Sequence, residues 1–177
     1  MSEQRYVFEP LGQQPNRAAF SCGQHDLDLY LRERAGQDRR RDVTACFVLV
    51  DREEQAVVGY YTLSAGVIVA SDLPADAARR LPRYPNLPAV RLGRFAVDGR
   101  YQGQGFARLL LMDALRRALE GTRLVGAIAI IVEAKDEPAA GFYERFGFAR
   151  FRDSPLRLFL PMAIVRTLVA AAAGNPE

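Results

Sequence analysis

Arg100-Tyr101-Gln102-Gly103-Gln104-Gly105 stands between a run of strand formers, Val90 to Val97, and an amphipathic stretch, Gly103 to Leu119. Glycines at 103 and 105 permit positive φ and remove side chains that would block an approaching ligand. The helix that follows presents unpaired N–H groups and the positive end of its dipole. Together these make a site for a pyrophosphate. A Walker loop requires GxxxxGK[ST], and no lysine lies here. A dinucleotide fingerprint requires a third glycine where Arg108 stands. A tight strand-to-helix turn with no ligand remains open on the hexapeptide alone.

Working outward, strands and helices alternate. Tyr6-Val7-Phe8 is a short strand, and Leu27, Tyr30 and Leu31 recur at helical spacing over about 24–35, with Ser21 as its cap. Arg32 to Asp42 continues as a polar, basic segment. Val43 to Val50 and Val57 to Leu63 flank the turn Asp51 to Gln55 as a hairpin. Leu73 to Pro88 carries four prolines, which exclude a central strand there but allow a short helix, Ala75 to Leu81. The helix over 103–119 turns Leu109, Leu110, Met112, Leu115 and Leu119 towards the core. Gly126 to Val132 is a strand buried on both faces. Pro138 suits the first turn of a helix that reaches Phe146 and stops at Gly147. Phe142 and Phe146 form its core stripe, with Tyr143 one step around from it. Phe148 to Arg152 and Arg157 to Leu160 are further strands. Ile164 to Ala173 is a terminal helix, and Gly174 to Glu177 is a loose tail. The alternation predicts an α/β or α+β fold, one sheet with helices, in a single domain over 1–177.

Composition narrows the function. Cys22 and Cys46 are the only cysteines and His25 the only histidine, too few for a disulfide framework, a zinc site or a Ser-His-Asp triad. No metal is expected. No apolar run approaches the roughly 20 residues that span a bilayer. The start, Met1 to Arg5, lacks the plan of a signal peptide. A cytoplasmic protein without membrane contact is the expectation. Net charge is only +3, but between Arg79 and Arg108 there are seven arginines and one acid, Asp98. Guanidinium forks suit phosphate geometry, so an anionic partner is expected.

Val97-Asp98 before Arg100 to Gly105, with Phe142-Tyr143-Glu144-Arg145-Phe146-Gly147-Phe148 downstream, resembles the R/Q-x-x-G-x-G/A and FYxxxGF motifs of the GNAT acetyltransferase superfamily. The resemblance implies a mixed, mostly antiparallel sheet splayed between its fourth and fifth strands, with acetyl-CoA in the gap. It implies that the backbone of Phe95, Ala96 and Val97 meets the pantetheine arm. Arg100, Tyr101, Gln102, Gly103, Gln104 and Gly105, with Ala107, would cradle the pyrophosphate, and Phe142 would lie beside the coenzyme. Leu27 to Leu31, Gly59 to Ser64, Leu81 to Pro85, Leu87-Pro88, Arg91 to Arg94 and Arg157 to Met162 further resemble the GNAT toxins of bacterial toxin–antitoxin pairs. Such toxins acetylate the α-amine of aminoacyl-tRNA, stop translation, and are neutralised by a ribbon–helix–helix antitoxin. Phe95 stands where related sequences often carry leucine.

Acetyl transfer to an amine needs a neutral amine and a proton for the leaving thiolate. An α-amine, with a pKa near ~8, is partly neutral already, whereas a lysine amine near ~10 needs a base. Asp98 and Glu133 are strand-end acids with ordinary solvent roles, and neither is a convincing base. Tyr143 is the candidate acid, since a phenol stays protonated at neutral pH. A tRNA backbone would engage Arg79, Arg80, Arg83, Arg91 and Arg94. The apolar segment Phe159 to Met162 and the terminal helix are candidates for pairing two copies into a homodimer. Two other functions remain open from sequence: acetylation of a small amine or a protein N-terminus, and a non-catalytic nucleic-acid-binding module.

Overall fold

Seven runs of apolar and β-branched residues become the strands of one sheet. In the computed structural model, which describes residues 4–14 and 16–174, these are β1 (Tyr6–Pro10), β2 (Ala45–Asp51), β3 (Ala56–Val69), β4 (Asn86–Val97), β5 (Ala129–Glu133), β6 (Ala149–Phe151) and β7 (Ser154–Pro161). The helices are α1 (His25–Leu29), α2 (Ala35–Arg40), α3 (Ala75–Arg80), α4 (Phe106–Gly121), α5 (Glu137–Glu144) and α6 (Met162–Ala173). Strand order is β1-β2-β3-β4-β5-β7-β6. β1 with β2, β2 with β3, β5 with β7 and β6 with β7 are antiparallel, while β4 and β5 run parallel. The mixed α/β fold expected from sequence is the one observed.

The parallel ladder covers only Ala89 to Leu92 against Ala129 to Val132, and β4 continues to Val97 beyond it. Contacts divide the chain into two units: residues through Ser64 with Gly93–Ala114, and Ala65–Leu92 with Leu115 onward. The first unit has a core of Leu11, Phe20, Tyr30, Leu31, Val48, Val57 and Tyr60, and Cys46 is buried within it. Gly59 is needed here for space: a Cβ would lie 2.5 Å from Leu110 Cδ1 and 2.8 Å from the Ala96 carbonyl oxygen. The buried Tyr61 hydroxyl donates to Asp113 (2.5 Å), fixing the middle of α4 against β3. The second unit packs Ile68, Leu73, Leu87, Ala129, Ile131, Phe151 and Phe159 together.

Several expectations are corrected. Ser21 does not cap the first helix; Gln24 occupies the cap without a side-chain bond, and the Asp28 carboxylate takes the Cys22 N–H instead (2.8 Å). That helix does not end near residue 35. It passes through a π-helical segment, Tyr30–Arg34, into α2. β4 starts at Asn86, inside the proline-rich stretch, and contains Pro88. The proline is tolerated because it precedes the β5 ladder and contributes its carbonyl, which accepts from the Ile128 N–H (2.9 Å). Leu109 is exposed; the buried face of α4 is Leu110, Leu111, Ala114, Leu115 and Ala118, rotated by one residue from the predicted stripe. Phe159, Leu160 and Met162 are buried in the second unit, and β7 is flanked by β5 and β6, so this segment is no free edge for a second copy. Beyond Gly174 the predicted tail lies outside the described residues.

Candidate active site

After Val97 the chain makes one 3-10 turn, Gly99–Tyr101, and enters α4 at Phe106. Asp98 builds this turn. Its carboxylate is 2% exposed and accepts from the Arg100 N–H (2.9 Å), Arg100 Nε (2.9 Å), Arg100 Nη2 (3.2 Å) and the Ser21 N–H (3.1 Å). Burial pushes its pKa up, but the Arg100 side chain, the Arg100 N–H and the Ser21 N–H outweigh burial and hold it below the usual carboxylate range. The sequence assigned Asp98 an ordinary solvent role; it is instead a buried acid committed to the turn, and a poor base for that reason.

Asp51 anchors the next residue. The Tyr101 hydroxyl donates to its Oδ2 (3.1 Å), Arg5 Nη2 does so at 2.8 Å, and the N–H groups of Glu53 and Glu54 reach Oδ1. The Arg5 guanidinium is the main reason its pKa falls below the usual range. Burial, then the bond to Asp51, raises Tyr101 to about 12. Gln102 Nε2 donates to the carbonyls of Val97 and Cys22 (both 2.9 Å), and Gln104 Nε2 to that of Arg100 (3.0 Å). Thus all four non-glycine side chains of the hexapeptide are tied back into the protein.

What remains for a ligand is backbone, with the half-exposed Arg100 guanidinium beside it. Gly103 and Gly105 have φ of 75° and 86°, and a Cβ on either would meet nothing within 4 Å. The first N–H groups of α4 have no acceptor within the helix. A ligand of pyrophosphate shape and charge fits this donor set: amides beside two glycines and a guanidinium held in place by Asp98. Phe95, Ala96 and Val97 form the last residues of β4, with Ala96 and Val97 buried, and Ala107 lies half-buried in the first turn of α4.

In the second unit, the N-cap of α5 is Asp136, which accepts from the Ala139 N–H (2.9 Å), and the helix ends where Gly147 takes φ 95°. The predicted stripe is reversed. Tyr143 is the buried residue, at 7% exposure, while Phe142 and Phe146 are half-buried and pack edge-on (5.2 Å). Helix termination at Gly147 sends Phe148 back against the Tyr143 ring (5.4 Å). Burial raises the Tyr143 pKa, so the phenol keeps its proton across the neutral range.

The arginines divide between the units. Arg79 and Arg80 end α3, and Arg79 and Arg83 border a 450 Å³ recess that includes Pro82, Tyr84 and Pro85. Arg79 faces Asp76 at 3.5 Å, but both side chains are largely exposed and the pair is weak. Arg91 is exposed on β4. Arg94 belongs to the first unit, its guanidinium carbon 3.7 Å from the centre of the Tyr30 ring. The sequence reading missed Asp51, Arg5 and the Tyr30–Arg94 stack. An acid ending the apolar run Ala45 to Val50 was the available sign for Asp51. Nothing local marks its partners, which lie 46 and 50 residues away.

A mixed sheet of this order, with a glycine turn leading from its fourth strand into a helix, defines a class of transferases that take an acyl group from a coenzyme A thioester. Within that class, the chain belongs to the acetyltransferase (GNAT) family, whose profile its residues 13–148 match. It is an acetyltransferase, and its acyl donor is acetyl-CoA. The chain is 36% identical over 151 residues to the tRNA-acetylating toxin of Mycobacterium tuberculosis (strain ATCC 25618 / H37Rv), across 85% of this chain and 89% of that one. Among solved structures it resembles AtaT complexed with acetyl-methionyl-tRNAfMet (TM-score 0.84, 30% identity, 92% of this chain and 98% of that one). It also resembles a mutant of the AtaT toxin bound to the C-terminus of the antitoxin AtaR and acetyl-CoA (TM-score 0.78, 26% identity, 93% and 98%). No helix among the described residues is long and apolar enough to cross a membrane. No group of metal-ligating residues occurs among them either.

Proposed function

We propose that this protein is a toxin of a toxin–antitoxin pair that acetylates the α-amine of aminoacyl-tRNA in the cytoplasm and so blocks translation. The observation that carries the reading is its 36% identity to a tRNA-acetylating toxin over most of both chains. The family match, residues 13–148, runs through both units, and the 177 residues act as one catalytic domain.

Bound acetyl-CoA supplies an acetyl thioester. The chain's own residues hold and protonate. Arg100 and the backbone of Tyr101 to Gly105, with Ala107, hold the pyrophosphate. The backbone of Phe95, Ala96 and Val97 holds the pantetheine arm, and Phe142 lies along the coenzyme. Tyr143 holds a phenolic proton for the departing sulfur, and its burial ensures that the proton is there at neutral pH. Of the candidate bases among the described residues, Asp98 is engaged with Arg100, and Glu133 and His25 lie exposed to solvent. That provision suits an α-amine, partly neutral at pH 7, and is poor for a lysine side chain. Arg79, Arg80, Arg83, Arg91 and Arg94 contact the phosphates of the tRNA.

A ribbon–helix–helix antitoxin with an acidic tail is the proposed partner, supported by the antitoxin-bound relative and by the arginines around the Tyr84 recess. Two copies pair through α6, which keeps Ile164 exposed. The decisive experiment is incubation with labelled acetyl-CoA and a pool of charged tRNAs. Label should be recovered on the aminoacyl end and lost when the tRNA is deacylated. Label found only on small amines or protein N-termini would replace this acceptor, and failure to bind acetyl-CoA would overturn the enzymatic reading.

A further inference from the structure

The blocks Gly59 to Ser64 and Arg91 to Arg94 meet where β4 parts from β5. The parallel ladder ends at the pair Leu92–Val132, and β4 runs on through Gly93 to Val97. Thr62, in β3, is buried, and its hydroxyl oxygen accepts from the Arg94 N–H at 2.8 Å. A side-chain hydroxyl thus takes part where strands ordinarily join backbone to backbone. The same oxygen lies over Gly93: a Cβ there would be 2.7 Å from it, closer than side chains approach. Glycine inside a strand marks such a close approach. Neither residue has a part so far in holding the coenzyme or moving a proton.

The stretch that follows is held at both ends. At its start Arg94 is fixed twice: its N–H by Thr62, and its guanidinium by the Tyr30 ring at 3.7 Å. That ring is itself anchored, its hydroxyl donating to Asp38 Oδ2 (2.9 Å). At the far end, the Val97 carbonyl accepts from Gln102 Nε2 (2.9 Å), and the Asp98 N–H donates to the Val58 carbonyl (2.8 Å). Between these points lie Phe95 and Ala96, whose backbone, with that of Val97, is assigned to the pantetheine arm. The far end is set by the glycine turn and by a backbone bond to β3. The course of the near end depends on one hydroxyl. Its replacement by a methyl leaves the Arg94 N–H without that acceptor and presses a larger group on Gly93, so the strand must shift. A misplacement of about 1 Å at a reacting group can cost about 100-fold in rate.

We propose that Thr62 is a positioning residue for the transfer: its hydroxyl, admitted by the missing side chain of Gly93, sets the course of β4 so that the backbone of Phe95 to Val97 meets the pantetheine arm. The proposal rests on the pantetheine assignment made above. Thr62→Val exchanges the hydroxyl for a methyl at nearly constant volume, and Thr62→Ser keeps the oxygen. The ligand 3′-phospho-ADP, which is coenzyme A without its pantetheine arm, reads the glycine turn alone. By calorimetry, Thr62→Val should bind coenzyme A about tenfold more weakly and 3′-phospho-ADP as the wild type does, the second value showing that the variant is folded. Its kcat should fall by at least a similar factor. Thr62→Ser should bind both ligands as the wild type does. Gly93→Ala, whose Cβ displaces the hydroxyl, should reproduce the selective loss. Exchange of the Arg94 amide, followed by NMR without ligand, should accelerate in Thr62→Val and not in Thr62→Ser. A wild-type ratio of the two affinities in Thr62→Val, or equal loss for both ligands, overturns the proposal. If the wild-type protein binds coenzyme A no more tightly than 3′-phospho-ADP, the pantetheine assignment itself fails and takes the proposal with it.

Discussion

Replacing Asp98 by Asn tests whether the turn is built by a charge. The amide keeps the size, but one carboxylate oxygen becomes an NH2 facing N–H donors. Of the four bonds that Asp98 accepts, the two on that oxygen are lost. Bonds to a charged acceptor are worth about 1.5 kcal/mol each at the low end, giving about 3 kcal/mol. The Arg100 side chain is 58% exposed and regains water, so its share is discounted. After that discount, about 2 kcal/mol of lost stability is expected. Because Arg100 and the amides after it then lose their fixed geometry, acetyl-CoA affinity should drop roughly tenfold. Urea unfolding with and without acetyl-CoA reads the first quantity, and titration calorimetry the second. An Asp98→Asn variant with wild-type midpoint and wild-type affinity would refute the view that Asp98 organises the site.

Tyr143→Phe should lower turnover by about 100-fold or more, the usual span for loss of a general acid, and leave acetyl-CoA binding nearly intact; unchanged turnover removes Tyr143 from the chemistry. With Tyr143 held protonated by burial, kcat/KM should rise through the α-amine pKa near ~8 and then level off; a falling limb just above pH ~8 would contradict this. Reversing charge in Arg79→Glu with Arg80→Glu should raise KM for charged tRNA at low salt, with the effect shrinking as salt increases; an effect independent of salt would point to folding instead. Asp51 and Asp98 have folded pKa values below their unfolded values near ~3.9, so their stabilisation is present above that pH and is lost as pH falls below it. Acid titration monitored by circular dichroism should therefore show unfolding setting in below pH ~4, with a shallower slope in Asp98→Asn.

Much of the architecture could be read from the chain because periodicity and punctuation are local. The hairpin around Asp51 to Gln55, the buried strand ending at Val132 and the helix begun by Pro138 and ended by Gly147 follow from residues a few positions apart. The misreadings share a cause. Pro88 in β4 and exposed Leu109 in α4 depend on which neighbour each residue meets, and this overrode propensity and spacing. Tyr143 was selected by its motif, but its burial follows from Phe148 folding back after Gly147, which a helical wheel does not contain. The glycines of the turn were legible as a phosphate site. Their foundations were not, since Asp51 joins Arg5 to Tyr101 across the length of the first unit.

That last connection reaches the start of the chain. Arg5 grips Asp51, and Tyr6 meets Phe106, the first residue of α4, edge-on at 4.8 Å. β1 is thus a gauge for the turn. Whatever stiffens the segment 100–106 should also slow amide exchange along Tyr6 to Pro10, and fraying of β1 should show in coenzyme affinity. A probe or fusion at the amino end joins the chain close to Arg5, so coenzyme affinity should be compared with and without such a handle.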